Sequence, residues 1–553
     1  MNPAPSMSRE DIAKLEIGVT TISRAAARAL SVLFLAAIGT VPLVQVLVGD
    51  PSLPFRGLPG DLAAAWRGAT GSMFSRILAA NRALLREINN VEHQADERSW
   101  LTAAAGPRAQ WALLYGLGAG NEKVYPGRDG WIFYRPEIDL LAGPGFLDPR
   151  VMRRRALNAS EWTALPQPDP LPAILDFHRQ LAARGVELVL MPVPAKPAIH
   201  PERFVRRAVS GSRPLQNVSE PVLFERLRQA GIRMFDAAPI LLASSPSYLA
   251  TDTHWRPEAM ERVAEALARE LAPRLEGTSR LSLRRTTETV TNRGDLARML
   301  TLPEGTEPAP EQATIHPVFT ERNEVWRSSD RAEVLVLGDS FCNIYSLPGL
   351  GWGAGAGLAE QLSYYLGAPV DRLARNDSGA SATRRMLSHE LARGRDRLAG
   401  KKIVVWEFAA REWAQGDWAL MDLTPGEYAP ARLLQPPPGA EWIVTGLVAS
   451  VSTAPRPGSA PYRDHLLTAL LTDLSGAPGT PDGEGAALVH AWSMSDNALQ
   501  PAAHWRSGQS VRVRLRAWSD MADRLEAINR SELDDPLLRL EEPCWAEPLE
   551  ESP

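Results

Sequence analysis

The most informative segment of the sequence is Val334-Leu335-Val336-Leu337-Gly338-Asp339-Ser340-Phe341. Its four consecutive apolar residues predict a strand that is buried on both faces, as in a parallel sheet. The strand ends in a tight Gly-Asp-Ser turn. Because reactive groups of α/β proteins gather beyond the carboxyl ends of the strands, Ser340 is a candidate nucleophile. An ordinary turn serine or a helix-capping serine is the alternative interpretation of so short a motif.

A serine hydroxyl needs a nearby base to accept its proton. Of the nine histidines, His254 has an evident partner, because Asp252 precedes it by two residues in Asp-Thr-His-Trp. In an extended segment this spacing puts both side chains on one face, where the carboxylate can orient the imidazole. A surface Asp-His pair and two of three metal ligands are the alternatives. We see no further His or Cys cluster that would complete a metal site, so we predict none.

Helices and short apolar runs alternate on both sides of this segment. The predicted helices are 173–183, 222–230, 257–271, 358–366 and 383–398. The predicted strands are 186–191, 232–235, 333–337, 370–373 and 402–408. Strands that alternate with helices of about ten residues predict an α/β fold, with a mostly parallel sheet covered by helices on both faces. We assign this domain to residues 120–425.

The N-terminal region contains an uncharged stretch of membrane-spanning length, residues 29–49. About 20 apolar residues cross a bilayer, and Arg24 and Arg28 precede the stretch. The positive-inside rule then predicts a cytoplasmic segment 1–28 and a single-pass anchor, with the remainder outside the cytoplasm. A cleaved signal peptide and a buried core helix are the alternatives. Residues 50–119 predict a helical stalk or packing region.

The C-terminal region has a different character. A Pro-rich stretch near 425–439 predicts a linker, and β-type runs follow at 442–451, 467–471, 487–492 and 511–518. We predict a small β-rich domain over 436–545. Its tryptophans, Trp442, Trp492, Trp505 and Trp518, leave two roles open, the binding of polysaccharide and the docking of partner proteins. The acidic residues near the end are predicted to be solvated: Glu541, Glu542, Glu547, Glu550 and Glu551.

Composition excludes several classes of protein. The 553 residues predict two to four domains. A net charge of -5 argues against a nucleic-acid binder, which usually carries a basic excess. Two cysteines, Cys342 and Cys544, exclude a disulfide-rich scaffold and a four-cysteine zinc site. We interpret Cys342 as a packing residue rather than a reactive thiol.

The order of these motifs resembles that of the AlgJ/AlgX-type alginate O-acetyltransferases, whose catalytic domain is similar to the SGNH hydrolase fold. Asp-Thr-His-Trp precedes a strand that ends in Gly-Asp-Ser-Phe in both. Four further segments agree, and the resemblance covers about residues 120–415. The segments are Gly127 to Tyr134, Val189 to Lys196, Arg293 to Leu300, and Val404 to Glu412.

The resemblance implies roles for particular residues. Ser340 would be the nucleophile that takes the acetyl group, His254 the base and Asp252 the residue that orients it. The Ser340 amide, Asn376 and Gly379 would stabilise the oxyanion, with Asn343 or Tyr345 as alternative donors. Three further residues have two open interpretations each. Trp255 either stacks on sugar rings or packs in the core, Arg411 either contacts sugar or forms an ion pair, and Lys196 is either structural or lines the cleft.

The resemblance also implies an activity and a setting. We expect an O-acetyltransferase anchored in the inner membrane, with its catalytic domain in the periplasm, that acetylates an exopolysaccharide without a cofactor. Its expected partners are a polytopic membrane-bound O-acyltransferase as acetyl donor and other exopolysaccharide secretion proteins. An acetylesterase of the same fold is one alternative. A non-catalytic polysaccharide-binding scaffold is the other.

Overall fold

A five-stranded, fully parallel sheet forms the centre of the computed structural model, with strand order β10-β9-β11-β3-β4. The strands are β3 (Glu187–Val193), β4 (Arg233–Met234), β9 (Val334–Gly338), β10 (Asp371–Ala374) and β11 (Ile403–Ala409). β9 and β11 are buried at every position, because helices cover both faces of the sheet. This confirms the predicted α/β class and the continuous apolar runs on which it rested.

Two separate apolar cores flank this sheet. Alternate residues of the strands, such as Val336 and Leu337, point into opposite cores. One core contains the helices Pro257–Leu271 and Leu358–Leu366. The other contains the helices Pro170–Ala182, Glu220–Gln229 and Gly379–Ala392. All five predicted helices are present. Four agree with their expected bounds within three residues, whereas the helix predicted over 383–398 begins four residues earlier and ends six residues earlier.

Shorter elements surround the main sheet. Three antiparallel pairs lie outside it: β1 with β2, β5 with β8, and β6 with β7. Their bounds are β1 (Val124–Pro126), β2 (Ile132–Tyr134), β5 (Leu283–Arg285), β6 (Glu288–Asn292), β7 (Glu311–Ile315) and β8 (Val318–Thr320). Further helices are Trp100–Leu117, Arg135–Ala142, Pro149–Leu157, Lys196–Ile199, Pro201–Phe204, Ala238–Ala243, Asp295–Met299, Ser340–Asn343 and Glu412–Gln415. The 3₁₀ turns here are Ala272–Arg274 and Pro348–Leu350.

The C-terminal strands close into a small barrel. They are β12 (Glu441–Val451), β13 (His465–Ser475), β14 (Gly485–Ser495), β16 (Ser510–Ala517) and β18 (Cys544–Pro548). The pairings run β12-β13-β14-β18-β16 and return to β12, with β14 and β18 parallel and every other pair antiparallel. This is the strand connectivity of an oligonucleotide/oligosaccharide-binding (OB) fold. Four of the five barrel strands were predicted from the sequence, and β18 was missed.

Several short elements decorate the barrel. β15 (Ala498–Leu499) pairs with β14, and β17 (Asn529–Ser531) adds to β13 in parallel. The segment between β16 and β18 also contains a 3₁₀ turn, Trp518–Asp520, and a helical turn, Ala522–Leu525. A further 3₁₀ turn, Pro501–His504, lies between β15 and β16. The prediction that the acidic residues near the end are all solvated was wrong in part. Glu541 is buried, and Glu547 pairs with Arg514 at 3.2 Å.

The structure describes residues 23–32, 34–35, 66, 73, 76, 81 and 84, and then 100–549 except for short gaps. The gaps are 158–165, 207–210, 212, 276–279, 377–378, 393, 395, 427–432, 456, 458–459, 461, 481–482, 484, 506–508, 534–537 and 539–540. The chain divides into two units, 1–112 and 113–553. In the first, residues 24–32 and 34–35 are helical. Most of the predicted span 29–49 and of the region 50–119 before residue 100 lies outside the described residues. Within the described parts, no helix has the length and apolarity to cross a bilayer.

Candidate active site

Ser340 occupies the turn that follows the central strand β9. It is the first residue of the helix Ser340–Asn343, and Asp339 caps that helix by accepting the Phe341 amide at 2.8 Å. The other Asp339 oxygen accepts the amide of Ala409, at the end of β11, at 2.7 Å. Gly338 allows the helix to fold back closely, because a Cβ there would lie 2.5 Å from the Cβ of Cys342. The turn is therefore held by its own cap and by the end of the neighbouring strand β11.

A buried carboxyl group supports the same turn from below. Glu407 on β11 accepts the amide of Asp339 at 3.0 Å. Burial, and then the negative charge of Asp339, raise the pKa of Glu407 well above its usual range. Burial therefore disfavours the charged form of Glu407, whose carboxyl group acts as a hydrogen-bonding support for the turn. Cys342, which is also buried beneath the turn, has its pKa raised by burial and is a packing thiol, as expected.

Asp252 and His254 form the buried pair that their spacing predicts. Their side chains meet at 2.6 Å between Oδ1 and Nδ1. The second Asp252 oxygen accepts Trp352 Nε1 at 2.8 Å and the amide of Asp295 at 3.0 Å. Burial alone would raise the pKa of Asp252, but the hydrogen bond and charge of His254 outweigh it and lower that pKa. Burial lowers the pKa of His254, yet the hydrogen bond and charge of Asp252 give a net rise above 6.5.

The histidine loop packs directly on the serine-bearing helix. The His254 ring lies 4.7 Å from the ring of Phe341, the residue after Ser340. Among the residues that the structure describes, His254 Nε2 has no hydrogen-bond partner, although it is buried. Asp252 thus occupies one imidazole nitrogen and leaves the other able to accept a proton. This is the arrangement that a general base requires.

Two predicted substrate-contacting residues instead join these elements. Trp255 is fully buried and donates its indole N–H to the Phe341 carbonyl at 3.1 Å. Tyr345 is also fully buried and donates its hydroxyl to the Trp255 carbonyl at 2.6 Å. The structure therefore favours core packing for Trp255. It also contradicts an oxyanion role for Tyr345, because the only hydrogen of its hydroxyl is already donated.

Asp295 is a site residue that sequence reasoning missed. It accepts the amide and hydroxyl of Thr253 at 2.8 Å each, and one of its oxygens lies 3.9 Å from His254 Nδ1. Burial and the nearby charge of Asp252 raise the pKa of Asp295 to about 6. Gly294 has a φ of +78° and would place a Cβ 2.4 Å from the Thr251 carbonyl oxygen, so glycine permits this approach. The Arg-Gly-Asp motif at 293–295 was the available signal.

A buried charged cluster supports the loop from the other side. Lys196 donates to the carbonyls of Ile132 at 2.6 Å, Ala250 at 2.9 Å and Asp252 at 3.0 Å. Its amide is bonded to Glu137, which also lies 3.5 Å from Arg411. Burial lowers the pKa of Lys196 to about 8 and raises that of Glu137 to about 7. All three ammonium hydrogens have acceptors, which favours the structural role for Lys196.

Arg411 reaches the site from the end of β11. Its guanidinium lies 5.9 Å from the Phe341 ring and 5.4 Å from the Tyr134 ring. Burial would lower the pKa of Arg411, but the charges of Glu137 and Asp339 raise it. The ion pair with Glu137 fits one of its two predicted roles, and its position beside the serine turn is compatible with the other.

The candidate oxyanion donors lie at the carboxyl end of β10. Asn376 is buried, and its side-chain oxygen accepts Asn343 Nδ2 at 2.9 Å. Asn343 is the last residue of the helix that Ser340 begins. Gly379 begins the helix Gly379–Ala392. Asn376 is thus tied to the Ser340 helix, while an oxyanion role for Gly379 stays a prediction.

Asp252, His254 and Asp295 also meet the geometric requirement for a metal site, with one ligand atom from each within 4.8 Å of the others. Sequence analysis had identified no third ligand beside Asp252 and His254. However, each oxygen of the two carboxylates already accepts at least one hydrogen bond. A metal ion would have to displace these donors, so the arrangement favours a hydrogen-bonded catalytic network.

Residues 124–410, just over half of the chain, match the model of a family described as the SGNH hydrolase-like domain of the acetyltransferase AlgX. The chain belongs to this family. It is similar to proteins named probable alginate O-acetylase AlgJ, two of which come from Pseudomonas aeruginosa and Pseudomonas syringae. The Pseudomonas aeruginosa protein is 29% identical over 199 residues, which are 35% of this chain and 45% of that protein. The Pseudomonas syringae protein is 28% identical over 190 residues, 33% and 42% of the two chains.

The chain spans less than half the length of these curated relatives. Among solved structures, the O-acetyltransferase domain of Pseudomonas putida AlgJ is 22% identical, covering 53% of this chain and 92% of that one, with a TM-score of 0.39. Pseudomonas aeruginosa AlgX is 15% identical, covering 71% and 90%, with a TM-score of 0.38.

Proposed function

We propose that this chain is an O-acetyltransferase that moves acetyl groups onto polysaccharide hydroxyls through Ser340, His254 and Asp252. One observation carries the proposal. A buried Asp252–His254 pair leaves one imidazole nitrogen without a described partner, directly against the helix that begins with Ser340. Membership of an acetyltransferase family and relatives named alginate O-acetylase support the same activity.

The proposed reaction has two half-reactions with an acetyl-serine intermediate. His254 Nε2 takes the Ser340 hydroxyl proton while the serine oxygen bonds to the acetyl carbonyl carbon. The bond from that carbon to the donor then breaks, and His254 returns the proton to the leaving group. A sugar hydroxyl next gives its proton to His254 and attacks the acetyl-serine, which restores the Ser340 hydroxyl. Asp252 stabilises the imidazolium in both steps.

The oxyanion of each tetrahedral intermediate needs donors close to Ser340. We propose that the Ser340 amide and the Asn376 carboxamide supply them. The removal of one such donor typically costs about 100- to 1000-fold in kcat. Arg411 lies beside Phe341 and is proposed to contact the sugar.

The proposed setting is the outer side of the inner membrane. Apolar side chains of the helical residues 24–32 and 34–35 are strongly exposed, including Leu30 and Val32 at 58% and 67%, as a lipid-facing segment would be. Arg24 and Arg28 precede them on the predicted cytoplasmic side. A polytopic membrane-bound O-acyltransferase is proposed as the acetyl donor, together with other exopolysaccharide secretion proteins as partners. The OB-type connectivity of the C-terminal barrel is compatible with oligosaccharide binding.

The experiment uses the full chain in detergent with an activated acetyl ester, with and without candidate polysaccharides. Mass spectrometry follows acetyl groups on the Ser340 peptide and on the sugar, for the wild type, Ser340→Ala and Ser346→Ala. Ser346 is a matched control because it lies three residues after the end of the same helix, and its buried hydroxyl donates to Glu360 at 2.8 Å. Transfer to sugar that requires Ser340 but not Ser346 supports the proposal. Release to water alone favours the esterase, and equal behaviour of wild type and Ser340→Ala refutes the catalytic role.

A further inference from the structure

The C-terminal barrel contributes a residue to the candidate active site. Asn529 is the first residue of β17, in the segment that connects β16 to β18, and it is buried. Its side-chain oxygen accepts the backbone N–H of Asn376 at 2.9 Å, across 153 residues of sequence. A residue of the barrel therefore touches the candidate oxyanion donor itself.

The contacts of Asn376 come from two sides. Asn343, on the Ser340 helix, donates to its side-chain oxygen at 2.9 Å, and Asn529 accepts its backbone N–H at the same distance. These two bonds use the carbonyl oxygen of the Asn376 side chain and its backbone donor. The carboxamide N–H₂ group is the donor that these two bonds leave unused. The bonds to Asn343 and Asn529 together set the direction in which this N–H₂ group points.

Asn529 is itself held firmly by the barrel. β17 pairs in parallel with β13, opposite His465. Two residues further on, the Ser531 hydroxyl bonds to His465 Nε2 at 3.1 Å, and its carbonyl accepts the hydroxyls of Ser452 and Thr468. Beside this contact, Arg375 lies 3.4 Å from Glu532 and forms an ion pair between the same two segments. The pairing of β17 with β13 therefore fixes the side-chain oxygen of Asn529 that accepts the Asn376 amide.

We infer that Asn529 is a positioning residue for acetyl transfer, which holds Asn376 so that its carboxamide donates to the oxyanion. The inference rests on the proposed function of Asn376. It makes the barrel a structural part of the catalytic centre, in addition to any role in binding polymer. Removal of the acceptor leaves a buried N–H unsatisfied and releases the loop. Because a displacement of about 1 Å can cost about 100-fold, we expect Asn529→Leu to lower kcat at least about tenfold.

The test compares three full-chain variants on the activated acetyl ester without polysaccharide. Asn529→Leu keeps the side-chain size but removes the acceptor. Asn529→Asp keeps an oxygen acceptor and loses no donor bond, since Asn529 Nδ2 has no partner among the described residues. Ser531→Ala removes only the hydroxyl bond to His465; it keeps the β13–β17 pairing and the backbone carbonyl that accepts Ser452 and Thr468, so Asn529 stays in place. Hydrogen exchange of peptides covering 371–376 and thermal melting accompany the kinetics.

The expected result is a lower kcat with little change in KM for Asn529→Leu, recovery in Asn529→Asp, and near wild-type kcat in Ser531→Ala. Exchange at 371–376 should rise in Asn529→Leu only. The inference is overturned if Asn529→Leu keeps its kcat, or if it and Ser531→Ala lose activity equally. Should the wild type show no Ser340-dependent turnover, the proposed function fails. Hydrogen exchange then still tests whether Asn529 holds the segment that contains Asn376. Equal protection of 371–376 in all variants overturns the inference.

Discussion

Replacement of Asp295 by Asn should shift the pH dependence of catalysis while leaving its maximum nearly intact. Asn has the shape of Asp, and its oxygen can still accept the amide of Thr253. The change removes a negative charge 3.9 Å from His254 Nδ1, and that charge helps to raise the pKa of His254. The pKa of His254 in Asp295→Asn should therefore fall.

Coulomb's law gives the size of this shift. At 3.9 Å, two unit charges interact by about 1 kcal/mol at a dielectric constant of about 80 and about 4 kcal/mol at about 20. One pH unit corresponds to about 1.4 kcal/mol, so the expected fall lies between roughly 0.8 and 3 units. A neutral His254 accepts the serine proton, so kcat/KM should rise with pH through the pKa of His254. The rising limb should move to lower pH in the variant.

The assay is the pH profile of kcat/KM for an activated acetyl ester, which reports the pKa of the free enzyme. Asp252→Asn is the comparison, because loss of the orienting carboxylate should cost about 10⁴-fold in kcat. Asp295→Asn should retain its plateau within about tenfold. An unmoved rising limb would refute the electrostatic role of Asp295. A plateau as low as that of Asp252→Asn would show that Asp295 acts mainly by holding the loop.

Three further substitutions test the surroundings of the pair. Trp352→Phe removes a donor to ionised Asp252, worth about 1.5–3 kcal/mol, and should lower kcat/KM about tenfold at pH 7.5; an unchanged value would contradict this. Lys196→Met should reduce the free energy of unfolding by about 3–5 kcal/mol in chemical denaturation. Above about pH 8, Lys196 loses its proton in the folded protein before it does so in the unfolded chain. The free energy of unfolding of the wild type should therefore rise with pH in this range, and the variant should lack this rise. Trp255→Phe should cost about 1–3 kcal/mol of stability with the polysaccharide KM unchanged, whereas a large rise in KM would restore the sugar-stacking interpretation.

The parts of the fold that the sequence predicts are those with a local signal. Strands such as Val334–Gly338 are continuous apolar runs, and helices such as Pro257–Leu271 have both a proline at their first position and an apolar periodicity. The pair β6–β7 was missed because Glu288–Asn292 is mostly polar and largely exposed. β18 was missed because Cys544–Pro548 lies among prolines and acidic residues, and its place is set by pairing with two strands distant in sequence.

The same limit applies to the candidate site. The pairing of Asp252 with His254 follows from a spacing of two residues. The contacts of Asp252 with Asp295 and Trp352 cross 43 and 100 residues, and that of Asn376 with Asn529 crosses 153. No local pattern carries such information, because it depends on how the strands and loops are assembled.

The place of β18 in the barrel affects the order in which the chain can fold. Cys544–Pro548 lies between β14 and β16 and pairs with both. Until this strand is synthesised, those two neighbours present unpaired edges, which are prone to intermolecular association. A ring closed by its most C-terminal strand is also completed late, through contacts distant in sequence. The barrel that holds Asn529 therefore matures after the central sheet, and a nascent chain would acquire its serine turn well before the framework that completes the site.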